Sequence, residues 1–191
     1  MENIYSKFKD KPLADAIAHQ STINTVLNSK AKKVLEMGGG IGTLSYACLS
    51  NGAEVDIYEQ SEECRKELKK NLAEFDGKYT ITKDYRVLPP HKNYDLLIID
   101  GGSGNGRDKG FPMSVWHYVN YITVKKIIVD GYRRMQFGFA RNGLRRQYIY
   151  KITFHDKCSE IDCKKCNSKI LRILNYIYWE LRVKYYYRSK K

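Results

Sequence analysis

The amino-acid sequence predicts an α/β fold, with a doubly wound, mostly parallel, seven-stranded sheet and helices on both faces. Short apolar runs alternate with amphipathic segments along most of the chain. One run, YDLLIID, is continuously apolar, as expected of a strand that is covered on both sides. A glycine-rich turn follows the first apolar run. Strands that alternate with helices in this way form parallel sheets whose crossover helices cover both faces.

The first half of the chain alternates three helices with three strands. Apolar residues near helical spacing predict the first helix, and short bounded apolar runs predict the strands. Ser61 is placed to cap the third helix, and Glu62 and Glu63 follow in its first turn. We expect, in chain order, a helix over 12–27, a strand over 32–37, a helix from Gly42 to about Ser50, a strand over 54–59, a helix over 61–75 and a strand over 79–82.

The second half departs from this regular alternation. Pro89 and Pro90 leave little room for a helix in 83–93, which we expect to be a loop. The apolar period of the last segment fits a strand or a helix. We expect strands over 94–100 and 125–130, a helix over 131–146 that three glycines weaken, a strand over 146–154 and a seventh strand within 170–187, with a helix as the alternative.

The composition is that of a globular domain. With 42% hydrophobic and 13% aromatic residues, 191 residues can bury a sizeable core, and a single domain over 1–191 accounts for them. No stretch approaches the length of a membrane span, and the charged N-terminus lacks the apolar core of a signal peptide. We therefore expect a cytoplasmic protein with no membrane partner and with its five cysteines reduced.

The turn VLEMGGGIGTL, residues 34–44, predicts a cofactor site. Its four glycines let a ligand approach the main chain and allow positive φ angles without strain. In sheets of this kind, ligands bind beyond the carboxyl ends of the strands, where a helix N-terminus offers backbone amides. The dinucleotide fingerprint G-x-G-x-x-G fits in none of the three frames that begin at Gly38, Gly39 or Gly40.

The pattern that does fit is an acidic residue, Glu36, followed by G-x-G-x-G up to Gly42. It resembles the first motif of class I S-adenosylmethionine-dependent methyltransferases, and the resemblance extends over roughly residues 30 to 135. The resemblance implies that an acidic residue at the end of the second strand, here Glu59, binds both ribose hydroxyls. It implies that Asp84, after the next strand, approaches the adenine amine, and that Asp100, ending the fourth strand, lies near the methyl group.

S-adenosylmethionine is therefore the expected cofactor. Carboxylates accept hydrogen bonds from hydroxyls and amines, and no phosphate is present to repel them, which suits this cofactor better than NADP. Structural alternatives remain open for two of these residues, since Glu59 could cap the next helix and Asp84 could shape a turn. We expect Glu36 to orient the glycine loop and not to react. The expected cofactor-binding residues are Glu36, Gly38, Gly40, Gly42, Glu59 and Asp84.

Two strand ends supply the candidate catalytic residues. Asp100 is the first candidate for the general base or acceptor-positioning group, and Asp130, at the end of the neighbouring strand, is the second. Both could instead cap the turns that follow. The same pair resembles the carboxylates of metal-dependent O-methyltransferases, but Gly131 stands where those enzymes usually have Asn, so we predict no metal.

The loop DGGSGNGRDKG contains five glycines and begins at Asp100. It could act as a lid or an anion-binding nest, with Arg107 and Lys109 as charged contacts, or be a flexible surface loop. It is similar to a loop of glucuronoxylan O-methyltransferase-like enzymes, in which an Asp followed by Arg also ends the fifth strand. Gly102 stands where that family tends to have Pro. We expect Arg107 and Arg133 to hold an anionic acceptor.

A second cluster contains His155, Cys158, Cys163 and Cys166, spaced H-x2-C-x4-C-x2-C. The short C-x2-C step suits a shared zinc ion that would staple the hairpin between the last strands. Ordinary structural zinc sites separate their ligand pairs by a longer loop, and a reduced protein can carry free cysteines in a polar turn. Both interpretations stay open.

The net charge of +13 is concentrated at one end of the chain. Residues 131–191 hold 16 Lys and Arg against 4 Asp and Glu, whereas residues 1–130 hold 18 against 17. The basic part also holds 8 of the 16 tyrosines, as nucleic-acid binders often do, although a solvated basic face has the same composition. The charge argues against aminopropyl transferases, whose acceptors are polycations.

These observations divide the chain into an N-terminal helical segment, 1–30, a cofactor-binding core, 31–130, and a basic C-terminal part, 131–191. The sequence predicts a methyltransferase acting on a hydroxyl of an anionic acceptor, such as RNA, DNA or an acidic glycan. The alternative is a catalytically inactive methyltransferase-like subunit that binds RNA or serves as an accessory.

Overall fold

The computed structural model describes residues 3–102, 110–131 and 133–189. Seven strands form one sheet. They are β1 (Lys33–Met37), β2 (Glu54–Tyr58), β3 (Tyr79–Thr82), β4 (Asn93–Ile99), β5 (Thr123–Asp130), β6 (Tyr148–Phe154) and β7 (Cys158–Lys165). Their order across the sheet is β3-β2-β1-β4-β5-β7-β6. All neighbouring pairs from β3 to β5 are parallel, and β7 is antiparallel to both β5 and β6.

Helices cover both faces of this sheet. They are α1 (Ile4–Phe8), α2 (Gln20–Ser29), α3 (Thr43–Ser50), α4 (Glu62–Asn71), α5 (Gly110–Tyr121), α6 (Arg134–Leu144) and α7 (Lys169–Ser189). Residues of α1 to α4 pack in one core cluster, and residues of α5 to α7 pack in the other. The inner strands are apolar on both sides because each contributes alternate residues to the two clusters. The predicted doubly wound, mostly parallel, seven-stranded sheet is confirmed.

Local sequence signals account for several element ends. Ser61 Oγ accepts a hydrogen bond from Cys64 N at 3.2 Å, so the predicted cap of α4 is confirmed. The predicted loop is confirmed as well, since residues 83–92 contain neither helix nor strand. The predicted helix over 131–146 is present as α6.

The predicted seventh strand is misplaced. The segment within 170–187 is helical, as α7, and the alternative interpretation is correct there. The seventh strand lies instead in the segment with the cysteines, as β7, and a short turn separates it from β6. The sequence of β7 is mostly polar and charged, so it shows no apolar run that would predict a strand. The strand is buried mainly in its first half, where Ile161 packs against β5 and β6.

The N-terminal helix begins later than predicted. A 3₁₀ turn occupies Ala14–Ala16, Ile17 is extended, and α2 starts only at Gln20. Leu13 has a φ of 61°, which interrupts any continuous helix from residue 12. The helices α1 and α5 have no counterpart in the sequence prediction.

Arginines at the two ends of α6 lie against aromatic rings. Arg134, Arg145 and Arg146 lie 4.4, 5.4 and 4.8 Å from the ring centroids of Tyr187, Tyr176 and Trp116. Such contacts contribute about 0.5 to 1 kcal/mol each at exposed positions. Part of the cation and tyrosine content of the C-terminal third therefore packs α6 against α5 and α7.

Candidate active site

The glycine turn crosses from β1 to α3 with three positive φ angles, at Gly38, Gly40 and Gly42. A Cβ on Gly38 would lie 2.5 Å from the Cα of Gly101, and a Cβ on Gly40 would lie 2.6 Å from the carbonyl oxygen of Ala16. Both positions therefore exclude every other residue, by conformation and by space. The turn is bare because two other segments of backbone press against it.

The amides of this turn are already used within the protein. Gly38 N and Gly39 N both donate to the carbonyl of Tyr58, at 2.8 and 3.1 Å, and Gly40 N donates to Glu59 Oε2 at 2.8 Å. The turn is therefore closed onto the end of β2. The amides of Gly38 and Gly40 are therefore not free to bind a ligand, and the sequence prediction needs this modification. Both residues still line the cleft, where they have no side chain.

Gly42 has a different place from the other two glycines. It is the N-cap of α3 with a φ of 94°, and a Cβ there would lie 3.3 Å from side-chain atoms of Leu68 and Leu72. It does not line the cleft described below. Gly42 therefore sets the start of α3 and its packing against α4.

Glu59 follows β2 and is held in one orientation. Its Oε2 accepts from Gly40 N, and its Oε1 accepts from Ser61 N at 2.7 Å. The residue is only 9% exposed, yet it lines the cleft. Each carboxylate oxygen has a second lone pair, so the fixed group can still accept two hydrogen bonds from a ligand. Ser61, not Glu59, is the N-cap of α4, and the bonds of Glu59 to Gly40 N and Ser61 N are compatible with its predicted role in the site.

Glu36 lies under the turn instead of in the cleft. It is 1% exposed, and Ser45 Oγ, on the first turns of α3, donates a short hydrogen bond to its Oε2. Burial raises the pKa of Glu36 to about 8, the Ser45 bond opposes this, and the charge of Glu59 adds to it. This geometry ties β1 to α3 and supports the interpretation that Glu36 orients the glycine turn.

The cleft has a volume of about 400 Å³ and opens at the carboxyl ends of β1, β2 and β4. Pockets of roughly 300 to 1,000 Å³ are typical of small-molecule and cofactor sites. Its lining includes Gly38, Gly40, Glu59, Gln60, Ser61, Tyr85, Asp100, Gly101, Gly102, Phe111 and Arg133. Asp15, Ala16, Ile17 and Cys64 complete the wall.

Sequence reasoning missed part of this wall. The residues that it missed include Asp15 to Ile17, which lie in the broken stretch before α2, and two aromatic residues. The rings of Tyr85 and Phe111 meet edge to face with centroids 4.8 Å apart. Tyr85 directly follows Asp84 in the sequence, and that position was the available signal.

Asp84 lines a second, adjoining cleft of about 630 Å³. The two clefts share Gln60, Tyr85 and Phe111. The Asp84 carboxylate forms an ion pair with Arg86 at 2.8 Å, and this pairing lowers the pKa of Asp84. Asp84 therefore lies one aromatic wall away from Glu59.

Asp100 and Asp130 lie side by side because the strands that they end are parallel neighbours, with Ile99 paired to Val129. Asp100 lines the cleft and is 12% exposed at its side chain. Asp130 is buried behind it and accepts a short hydrogen bond from Thr22 Oγ1 of α2. Burial raises the pKa of Asp100 well above its usual value, the adjacent Asp130 adds to this, and Arg133 opposes it.

Arg133 joins these groups to the loop after β4. Its Nη2 donates to Asp100 Oδ1 at 2.8 Å, and its Nη1 donates to the carbonyl of Gly102 at 2.7 Å. It lines the cleft, so the structure brings Arg133 and Asp100 to one place. The other predicted acceptor-binding residue, Arg107, and its neighbour Lys109 lie outside the described residues.

The four candidate zinc ligands do not converge. Cys158 and Cys163 lie five residues apart on β7, so they face opposite sides of the sheet. Cys158 Sγ lies 3.5 Å from Thr25 Oγ1, and His155 pairs with Glu160 at 3.0 Å. Within the ranges that the structure describes, no three His, Cys, Asp or Glu residues cluster as metal ligands do. This geometry does not support the zinc interpretation.

Comparison with solved structures shows the fold family. The chain is 13% identical to the S-adenosylhomocysteine-bound methyltransferase PaMTH1 of Podospora anserina, with a TM-score of 0.59 over 86% of this chain and 89% of that one. It is 13% identical to the precorrin-6y C5,15-methyltransferase of Geobacter metallireducens, with a TM-score of 0.60 over 84% and 95%. A suspected RNA methyltransferase of Pyrococcus horikoshii is 20% identical, with a TM-score of 0.55 over 82% and 85%.

No protein-family model matches the chain, and no curated protein matches it in sequence. The similarity to solved structures is one of fold, and the fold is that of class I methyltransferases. In the part of the chain that the structure describes, no helix combines the length and apolarity that crossing a membrane requires.

Proposed function

We propose that the chain is an S-adenosylmethionine-dependent methyltransferase that acts on a hydroxyl of an anionic acceptor. One observation carries the proposal: Glu59 and Asp100 face a single cleft from the ends of two strands that flank β1, with the bare glycine turn between them. The Glu59 carboxylate is held in place and can accept further hydrogen bonds. The Asp100 carboxylate is mostly buried, pairs with Arg133 and has a raised pKa. We therefore assign cofactor binding to Glu59 and the chemical step to Asp100.

The residues present fit the cofactor. Glu59 can accept from two neighbouring hydroxyls, and Gly38 and Gly40 line the cleft without side chains, so a ligand can approach the main chain there. Tyr85 and Phe111 provide an aromatic wall that suits a purine. Asp84 would reach the exocyclic amine only from the adjoining cleft, in competition with Arg86. The cofactor supplies an activated, electrophilic methyl group.

This chain's own residues must then position and deprotonate the acceptor. Alignment of reactants accounts for up to about 7 to 11 kcal/mol in favourable cases. Asp100 is the cleft carboxylate that can take the hydroxyl proton, and a pKa raised toward the working pH makes a carboxylate a better base. Since the base acts in its ionised form, turnover should increase as the pH rises through the pKa of Asp100. Asp130 would act through Asp100, as a positioning residue.

The anionic nature of the acceptor rests on Arg133 and on the basic C-terminal third. Arg133 lines the cleft beside Asp100 and, through its two-point attachment to Asp100 and Gly102, presents a guanidinium in a fixed place. Guanidinium groups bind phosphate and carboxylate well because their donors match the spacing of two oxygens. Arg107 belongs to the same proposal by its place in the sequence.

Titration calorimetry with S-adenosylmethionine tests the cofactor assignment. Wild-type protein should bind, and Glu59→Gln should weaken binding by about tenfold to a hundredfold, because hydrogen bonds to a charged group contribute about 1.5 to 3 kcal/mol. Glu63→Gln removes the same charge from the exposed surface of α4 and should leave affinity unchanged. Absence of binding by the wild-type protein would overturn the assignment.

Single-turnover kinetics on an accepted substrate test the catalytic role. Asp100→Asn keeps the shape of the side chain but removes the base, so the rate of methyl transfer should fall by about 10² to 10⁴ while cofactor affinity stays within a few fold. Wild-type rates in Asp100→Asn would mean that alignment by other residues accounts for catalysis.

Acceptor profiling separates this function from that of an inactive RNA-binding subunit. Labelled S-adenosylmethionine is offered with total RNA, DNA, acidic glycan and metabolite fractions. An enzyme transfers label to one fraction, and its affinity for a polyanion should fall steeply with salt. Binding of RNA without transfer to any fraction would favour the accessory subunit.

A further inference from the structure

The outer face of α7 is the most apolar surface of the described chain. Of fourteen large hydrophobic residues exposed within the described ranges, eight lie on this helix. Their exposed fractions run from 48% at Ile173 to 74% at Tyr185. They are Ile170, Leu171, Ile173, Leu174, Ile177, Tyr178, Leu181 and Tyr185. At 100° per residue they fall within an arc of about 160°.

The opposite face of α7 already packs on the protein. Trp179 and Val183 are buried, and Trp179 Nε1 donates to the carbonyl of Tyr150 at 2.6 Å. Asn175 exchanges two hydrogen bonds with the backbone of the same residue, at 2.9 and 3.0 Å. A helix that is apolar on both faces is normally buried on both. The described residues therefore leave the outer face of α7 uncovered.

Six of the eight exposed residues are arranged symmetrically along the helix, whereas Leu171 and Ile173 mirror Lys184 and Arg182. Counted from the midpoint between Ile177 and Tyr178, Leu174 mirrors Leu181 and Ile170 mirrors Tyr185. In an antiparallel pair of identical helices related by a two-fold axis at that midpoint, these mirrored residues meet across the interface. A two-fold interface requires this self-complementarity, since each residue i that contacts j is matched by a j that contacts i.

Charge also favours the antiparallel arrangement. Lys184 is the first basic residue within the apolar arc. A parallel pair would place its two copies side by side. The antiparallel pair would separate them by about 20 Å along the axis, which exceeds the Debye length of roughly 8 to 10 Å. Lys184 then lies opposite Leu171, which its methylene groups can cover.

The area is adequate for a stable complex. Eight large side chains exposed by half to three quarters present on the order of 800 Å² per copy, which is the contribution of one partner to an interface of standard size. The largest apolar patch on a typical monomer is only about 300 to 600 Å². We propose that two copies of this chain associate through α7, antiparallel, about a two-fold axis between Ile177 and Tyr178.

Sedimentation velocity of the full chain over a concentration series tests the proposal. Wild-type protein should sediment at twice the 22.3 kDa chain mass. Leu174→Glu should sediment as a monomer with an unchanged circular dichroism spectrum. The double variant Leu174→Glu with Leu181→Lys should recover the dimer, because the new carboxylate at position 174 then faces the new ammonium at position 181 of the second copy, twice.

The matched control is Leu88→Glu, which places the same charge on a residue of similar exposure, 48%, in the loop before β4. It should remain dimeric. Wild-type protein that is monomeric at all concentrations overturns the proposal. If that monomer also sediments with phosphatidylserine vesicles, the face binds an anionic membrane instead. A dimer that persists in Leu174→Glu also overturns it, since the contact then lies elsewhere.

Discussion

Along its strand order the sheet has two sides, β3-β2-β1-β4 and β5-β7-β6, and they are stabilised in different ways. Around β3, β2, β1 and β4, the conformation is set by backbone: the glycine turn is closed by amides that donate to Tyr58 and Glu59, and neighbouring main chain leaves no room for a Cβ. Around β5, β7 and β6, side chains carry the packing, with arginines on rings and the Trp179 anchor. The first side should tolerate almost no change at its turn, whereas the second should respond gradually.

The sharpest test of this contrast is Gly38→Ala. The new methyl group would lie 2.5 Å from backbone atoms of Gly101 at a φ of 90°, so the free energy of unfolding should fall by more than about 3 kcal/mol. Gly77→Ala is the control, since its φ is 77° but nothing lies within 4 Å, and it should cost about 1 to 2 kcal/mol. Chemical denaturation measures both. Equal losses would show that conformation alone, not close packing, constrains the turn.

The anchor of α7 comes next in size. Trp179→Phe removes the donor to Tyr150 O, but Asn175 still serves that carbonyl, so the expected loss is about 1 to 2 kcal/mol. Cofactor affinity should not change, because the contact lies outside the cleft lining. Trp116→Phe, at the other tryptophan, is the comparison: it removes a longer bond, 3.3 Å to Asn142 Oδ1, and keeps a ring for Arg146, so it should lose only about 0.5 to 1 kcal/mol. A large loss of cofactor affinity in Trp179→Phe would contradict the expectation that the two sides respond to substitutions independently.

A pH series probes the buried carboxyl under the turn. Burial raises the pKa of Glu36 to about 8 from its ordinary value of 4.5, so between these values the folded state binds a proton that the unfolded state releases. Stability should therefore decrease with pH, by about 1.3 kcal/mol between pH 6 and pH 7. Asp100, whose pKa is also raised, contributes in the same direction. Glu36→Gln should remove its own part of the slope, and an unchanged slope would contradict the assignment.

The smallest expected effect has the opposite sign. Gly138 lies inside α6, and a Cβ there would meet nothing within 4 Å, so Gly138→Ala should stabilise the protein by about 0.5 to 1 kcal/mol. Gly143→Ala, in the same helix, would bring a methyl group 3.0 Å from Val119 and should lose that gain. Thermal melts compare the two. A destabilised Gly138→Ala would show that this side is less tolerant than its side-chain packing implies.

The same contrast explains how far the sequence could be interpreted. The order of β1 to β5 and the places of α2, α3 and α4 between them follow from apolar runs, a cap at Ser61 and a glycine turn, which act over a few residues each. The positions of Glu59, Asp100 and Arg133 at one cleft follow from the rule that parallel strands end at the same edge.

The failures lie where distant contacts decide. β7 has few apolar residues, and it is a strand because β5 and β6 pair with both its edges. α7 has apolar residues on two faces, so its period fits neither element clearly. The wall formed by Asp15 to Ile17 depends on the contact of Ala16 with Gly40, more than twenty residues along the chain, which no local pattern records.

The strand order also has a consequence for synthesis of the chain. β7 is made after β6 but lies between it and β5. As the ribosome releases the chain from its N-terminus, β5 keeps an open edge of apolar, β-branched residues until Lys165 has emerged, and β6 has no place in the sheet before then. Open edges of this kind recruit strands from other chains. The nascent chain therefore exposes an unpaired edge of β5 from the emergence of that strand to the end of β7, and this is an interval in which it is open to aggregation.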